Sequence, residues 1–239
     1  MTASISARFL CAILSCLLFG ITIQAAEVVQ VDVRSVLTGR AVTTFTGGKL
    51  VPWIQGIDGG GRADGYLTVA ASIANGDQHA KALPDDGCFA TTAAHPFIRL
   101  NFANADGTNS QTRGVTGKGE FSFPVKEQRY QRMMVFMTSA EGPSHLHFEL
   151  AYADGTREPR EILLPDYYNA APVGDTNVFM LAADLAKWNA SGRMAEANHH
   201  QIHGVDLHPD ARKKLVSIQV EKTAPAYLVF WGATGVTAD

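Results

Sequence analysis

The runs His145 to Tyr152 and Arg157 to Leu164 flank the tetrad Ala153, Asp154, Gly155 and Thr156. Asp-Gly between two strand-like runs is the strongest short-range hairpin signal, because the glycine supplies the positive φ that a tight turn needs. Within the first run His145, His147 and Glu149 share one face, while Leu146, Phe148 and Leu150 share the other. That period of two belongs to a strand with one buried face. A chain made of such units has to stack sheets to hide those faces.

The pattern recurs along the chain, with turn residues every eight to fifteen positions. Val29, Val31 and Val33 alternate with Gln30, Asp32 and Arg34, and Ala41 to Phe45 reads as a second strand. Gly56 to Gly65 is too rich in glycine for strand or helix and reads as a loop. Strand character resumes over Tyr66 to Ile73 and Phe97 to Phe102, and the polar stretch Asn104 to Gln111 is a second loop. Glu120 to Val125, Met133 to Thr138, His203 to Leu207, Leu215 to Val220 and Tyr227 to Gly232 complete the set. Val178 to Asn189 breaks it: Phe179, Leu181, Ala182, Leu185 and Trp188 fit a short helix about as well as a strand, and a helix or helical turn is the expectation. The expectation is an all-β fold, one antiparallel β-sandwich of jelly-roll type over residues 27–239 with at most one or two short helices.

The N-terminus carries one positive charge at Arg8, an apolar run from Phe9 to Ile23 and a small-residue exit at Ala25 and Ala26. This is the build of a signal peptide over residues 1–26, and the run is shorter than the roughly twenty apolar residues of a membrane span. The expectation is therefore a secreted or periplasmic protein with no membrane association after cleavage. Cys11 and Cys16 would leave with that peptide, so Cys88 could form no intramolecular disulfide and is expected as a small buried core residue. A formal net charge of −3 with no basic face makes nucleic acid an unfavourable partner.

From Ile202 through His208-Pro209-Asp210 and Leu215 to Val220, the chain runs into a closing strand, Ala226 to Trp231. Together with the hairpin at Asp154-Gly155, this order resembles the C-terminal part of galactose-binding-like jelly-roll domains of the carbohydrate-binding-module type. The resemblance covers roughly the last ninety residues. It implies a secreted non-catalytic glycan-binding protein with a polysaccharide or glycan as partner. The one cofactor it implies is a structural calcium ion held by loop carboxylates, for which Asp58 and Asp64 are the candidates; the alternative is that both are solvated turn residues.

Candidate site residues gather between Leu164 and His203, the longest stretch without clear strand periodicity. Tyr167, Tyr168 and Trp188 offer rings on which the C–H face of a sugar can stack, and Asp166, His199 and His200 offer hydrogen-bond partners. Trp53 and Trp231 read as core. The histidines from His199 to His208 have no standard zinc spacing, and His145, His147 and Glu149 fit a polar outer face. No Gly-x-Ser-x-Gly elbow and no phosphate-binding glycine loop is present. The alternatives to a glycan binder are a secreted lyase or hydrolase using His or Tyr with a carboxylate, and a structural protein-interaction module.

Overall fold

The computed structural model describes residues 26–59, 61–223 and 225–238. All but the last residue of the segment read as a signal peptide lies outside them. Strands β1 (Val28–Gln30), β2 (Val42–Thr46), β3 (Lys49–Val51) and β4 (Tyr66–Leu67) precede the helix α1 (Val69–Ala74). Three short strands follow, β5 (Cys88–Phe89), β6 (Ile98–Arg99) and β7 (Arg113–Val115). The long strands come last: β8 (Gly119–Ala140), β9 (Ser144–Tyr152), β10 (Arg157–Leu164), β11 (Val178–Trp188), β12 (Met194–Asp206), β13 (Lys214–Lys222) and β14 (Tyr227–Thr237). The chain is an antiparallel β-sandwich, with strand outweighing helix by 52% to 6%.

One strand belongs to both leaves of the sandwich. Gly119 to Arg129 of β8 pairs with β13, which continues through β9 to β10. From Tyr130 onward the same strand pairs with β14, and Met134 to Met137 also pairs with β12, which carries β11 on its far side. Pro124 is tolerated within β8 because that half is paired on one side alone, so its missing N–H interrupts no second ladder. Two separate runs expected over Glu120 to Val125 and Met133 to Thr138 are thus a single bent strand.

The core lies between the leaves, where Phe121 and Phe123 pack against Phe230 at 5.0 and 5.3 Å between ring centroids. A second cluster covers the other face of the β14 leaf. There Met134, Phe136, Val229 and Trp231 meet Ala41, Val42, Tyr66, Leu100 and Phe102 from the N-terminal loops. Residues 227–236 of β14 are consequently all buried, and the strand reads as a continuous apolar run because both of its faces are covered.

The hairpin at Asp154-Gly155 forms as expected, with Arg157 opposite Ala151, the Tyr152 N–H donating to Thr156 O at 3.0 Å and Gly155 at φ 82°. Two of the expected elements take a different form. Tyr66 to Ile73 is strand only to Leu67. The Thr68 hydroxyl then accepts from the Ala71 N–H and Asp85 from the Ala70 N–H, which caps a helix built on alanines. Val178 to Asn189 is no helix: β11 is a bulged strand whose register against β12 slips between Met180 and Ala182, Ala182 and Leu185, Leu185 and Lys187, and Lys187 and Trp188. Each slip turns successive apolar side chains to the same side, which mimics helical spacing. Cys88, expected in the core, is half-buried on β5. Among the described residues no helix is long and apolar enough to cross a membrane.

Candidate functional site

The bulges of β11 bring Leu185, Ala186, Lys187 and Trp188 into the interior in succession. Two non-glycine residues of this hairpin take positive φ, Asp184 at 55° and His199 at 82°, on either side of the Leu185–His200 pair. Backbone held in that region costs of order 1–3 kcal/mol per residue. Here it accompanies the inward turn of Lys187 and His200.

Lys187 is 5% exposed. Its ammonium lies 3.1 Å from Tyr167 Oη and 3.2 Å from Tyr168 Oη. It also lies 3.1 Å from Glu196, 3.2 Å from Asp64 and 3.3 Å from Asp58. An ammonium has three protons for these five oxygens. The phenols resolve part of the shortfall, since Tyr167 donates to Asp58 at 3.2 Å and Tyr168 to Glu196 at 2.7 Å. Burial alone would push the Lys187 pKa down, but the hydrogen bonds it donates to Tyr167, Tyr168 and Glu196 outweigh it and hold the amine charged. Burial drives the Tyr167 phenol up, so it stays protonated. For Glu196 burial opposes the charge, yet the Tyr168 and Lys187 bonds win and lower its pKa.

The rings form a compact stack. Tyr167 and Tyr168 have centroids 4.5 Å apart, and His200 packs 5.0 and 5.1 Å from them. Tyr168 is 45% exposed and presents the open surface of this stack, whereas Tyr167 and His200 are buried. His200 Nδ1 is 2.8 Å from Leu185 O, a carbonyl that can only accept, so the neutral ring carries its proton there. Burial lowers the His200 pKa and keeps the ring neutral. Its Nε2 is then a bare lone pair, buried without a hydrogen-bond partner and 3.5 Å from Glu196 Oε2. The Tyr66 hydroxyl, buried and within the field of Asp58 and Lys187, is likewise unpartnered.

The glycine-rich loop reaches the cluster through Gly65, whose N–H and C=O bond the backbone of Trp188 at 2.8 and 2.9 Å. A Cβ at Gly65 would fall 2.4 Å from the Trp53 ring, so glycine alone permits this approach. The loop holds its own shape through the Asp64 N–H, which donates to Asp58 at 3.0 Å.

Of the residues expected in a site, Tyr167, Tyr168 and His200 converge, and Asp58 and Asp64 join them. The cation that these two carboxylates share is the Lys187 ammonium. Asp58 is buried, while the Asp64 side chain keeps 23% of its surface in solvent. Among the described residues no group of three or more His, Cys, Asp or Glu side chains is disposed to hold a metal ion. Asp166 plays a different part: its carboxylate accepts the N–H groups of Gly142 at 2.7 Å and Tyr168 at 2.9 Å, fixing the turn that aims both tyrosines. Trp188 is fully buried with its Nε1–H on Asp77 at 2.7 Å, packed with Trp53, Leu67 and Ala71, so its ring offers no stacking surface. His199 is exposed on the hairpin at φ 82°, and the ring contacts of the stack are made by Tyr167, Tyr168 and His200. His147 and Glu149 pair with Glu161 and Arg157 on the outer face of their sheet.

Sequence reasoning passed over Lys187 and weighed Glu196 only as the carboxylate at the head of the histidine run from His199 to His208. Lys187 stands in the apolar stretch Leu185 to Trp188, and a single charge inside a buried run is the signal that marks it. Searches against protein-family models and curated proteins return no match to this chain.

Proposed function

We propose that this chain is an exported, non-catalytic glycan-binding protein whose contact surface is the half-exposed Tyr168 ring and the acidic groups around it. The observation that carries the reading is the combination at one place of an exposed aromatic face, backed by a rigid ring stack, with partly exposed carboxylates at Glu196 and Asp64. A pyranose presents a C–H face to such a ring and donates hydroxyls to such acceptors. The apolar segment from Phe9 to Ile23 supports export, and the resemblance of the last ninety or so residues to galactose-binding-like domains supports the ligand class.

The test is retardation of the protein in gels containing a panel of polysaccharides, for the native chain and for Tyr168→Ala. Retardation that the substitution abolishes supports the proposal; no retardation by any glycan refutes it. The bare Nε2 of His200 beside Glu196 and Tyr168 favours one second reading, a polysaccharide lyase or hydrolase using that imidazole as base. New reducing ends or unsaturated products in the same panel would establish it in place of the first.

A further inference from the structure

Three carboxylates, Asp58, Asp64 and Glu196, converge on one ammonium. Among the described residues no other lysine or arginine pairs with any of them, so Lys187 leaves the cluster with two negative charges in excess. His200 adds a further unmet demand for a proton donor, since its buried Nε2 lone pair faces Glu196 with no hydrogen-bond partner. Ring faces border the same space. The Lys187 ammonium itself lies at their phenol edges, 3.1 and 3.2 Å from the hydroxyl oxygens of Tyr167 and Tyr168. The interior side of the stack thus already holds one ammonium by carboxylates and phenol oxygens. Its solvent side, with Tyr168 45% exposed and the Glu196 and Asp64 side chains 39% and 23% exposed, offers the same kind of oxygen acceptors beside an open ring.

We propose that the glycan recognised at Tyr168 is a cationic one, an amino sugar with a free protonated amine, seated on the ring with its ammonium between Glu196 and Asp64. This rests on the glycan-binding reading above and narrows it. Neutral sugars would satisfy the acceptors without cancelling the excess charge. Uronates and sulfated sugars would add to it, and like charge at short range opposes binding.

The experiment is calorimetric titration of the full chain with three oligosaccharides of equal length: glucosamine oligomers, their N-acetylated counterparts and oligouronates. Glucosamine oligomers are expected to bind about tenfold more tightly than the N-acetylated series, with that advantage shrinking several-fold between low and high salt as the charges are screened. Glu196→Gln and Asp64→Asn should each reduce the preference for the free amine by about threefold to fivefold, provided the melting curve shows the variant folded. If Glu196→Gln does not fold, the Asp64→Asn variant and the ligand comparison on the native chain still decide the matter. Equal or tighter binding of the N-acetylated or uronate series overturns the cationic ligand and leaves glycan binding standing. Absence of binding across all three, together with no retardation in the polysaccharide panel, overturns both.

Discussion

Lys187 and Glu196 face each other across the bulged ladder between β11 and β12, with the ammonium 3.1 Å from the carboxylate. The ladder therefore brings together a cation that is 5% exposed and the most accessible of its three anions. A charge this deep persists only because its partners replace the water it has lost. Lys187→Met removes the one cation and leaves Asp58 buried beside two further carboxylates. The expected cost is about 3 kcal/mol, near the lower end for breaking a buried ion pair because Glu196 and Asp64 retain some solvent. A chain of this size should then melt roughly 6–12 °C lower. Adding Asp58→Asn to that variant should recover part of the loss, whereas an unchanged melting temperature for Lys187→Met would show the cluster to be solvated.

Two buried histidines make stability depend on pH. Burial is the leading cause that lowers the pKa of His200 and of His203 below the ordinary value of 6.5. The folded protein binds these protons less readily than the unfolded chain does. The stabilisation is therefore complete above pH 6.5 and is lost as pH falls through the lower folded-state values. Urea unfolding at pH 7 and pH 5 should show the loss, and His203→Gln should flatten the slope. A midpoint that rises on acidification would contradict the assignment.

How much of this was legible in the chain follows from how locally each feature is encoded. The Asp154-Gly155 hairpin and the strand Arg157–Leu164 were readable because turn chemistry and alternation lie in one short stretch. β11 was not, since its alternation is broken by four slips of register that only pairing with β12 defines. Tyr167, Tyr168 and His200 could be nominated as rings and ring nitrogens. Their meeting with Asp58 and Asp64 depends on the Gly65–Trp188 bridge, more than a hundred residues apart in sequence, and nothing local encodes that bridge. Trp188 was misjudged for a related reason: one bulge separates it from Lys187, and the burial of both follows from pairing rather than composition.

The left-handed backbone at His199 can be relieved. With φ at 82° and its side chain exposed, the residue bears a conformational cost that glycine does not. His199→Gly should raise stability by up to about 1 kcal/mol, the gain from relieved strain being offset in part by the greater freedom of glycine in the unfolded chain. Ligand affinity should not change, because the ring stack is built from Tyr167, Tyr168 and His200. A clear loss of affinity in a variant that melts at or above the native temperature would place His199 in the site after all.

Tyr168 and Trp188 should part company on truncation. Tyr168 is 45% exposed, its hydroxyl bonds Glu196 and Lys187, and its ring lies over buried Tyr167 and His200. Tyr168→Ala removes an exposed face and exposes the Lys187 cluster to water without opening the core. The fold should survive, with a melting temperature lowered by a few degrees. Binding of whichever glycan retards the native chain should weaken by about 1 kcal/mol or somewhat more, the worth of a single aromatic contact. Trp188 is fully buried among Trp53, Leu67 and Ala71, and its Nε1–H satisfies Asp77. Trp188→Ala opens a large void and strands that carboxylate, at a cost of about 3–5 kcal/mol. Chemical denaturation of both variants beside affinity gels separates the two roles. Should Tyr168→Ala keep full affinity while remaining folded, the contact surface lies elsewhere on the sandwich. Should Trp188→Ala prove as stable as the native chain, the packing of Trp188 with Trp53, Leu67 and Ala71 contributes less than its burial implies.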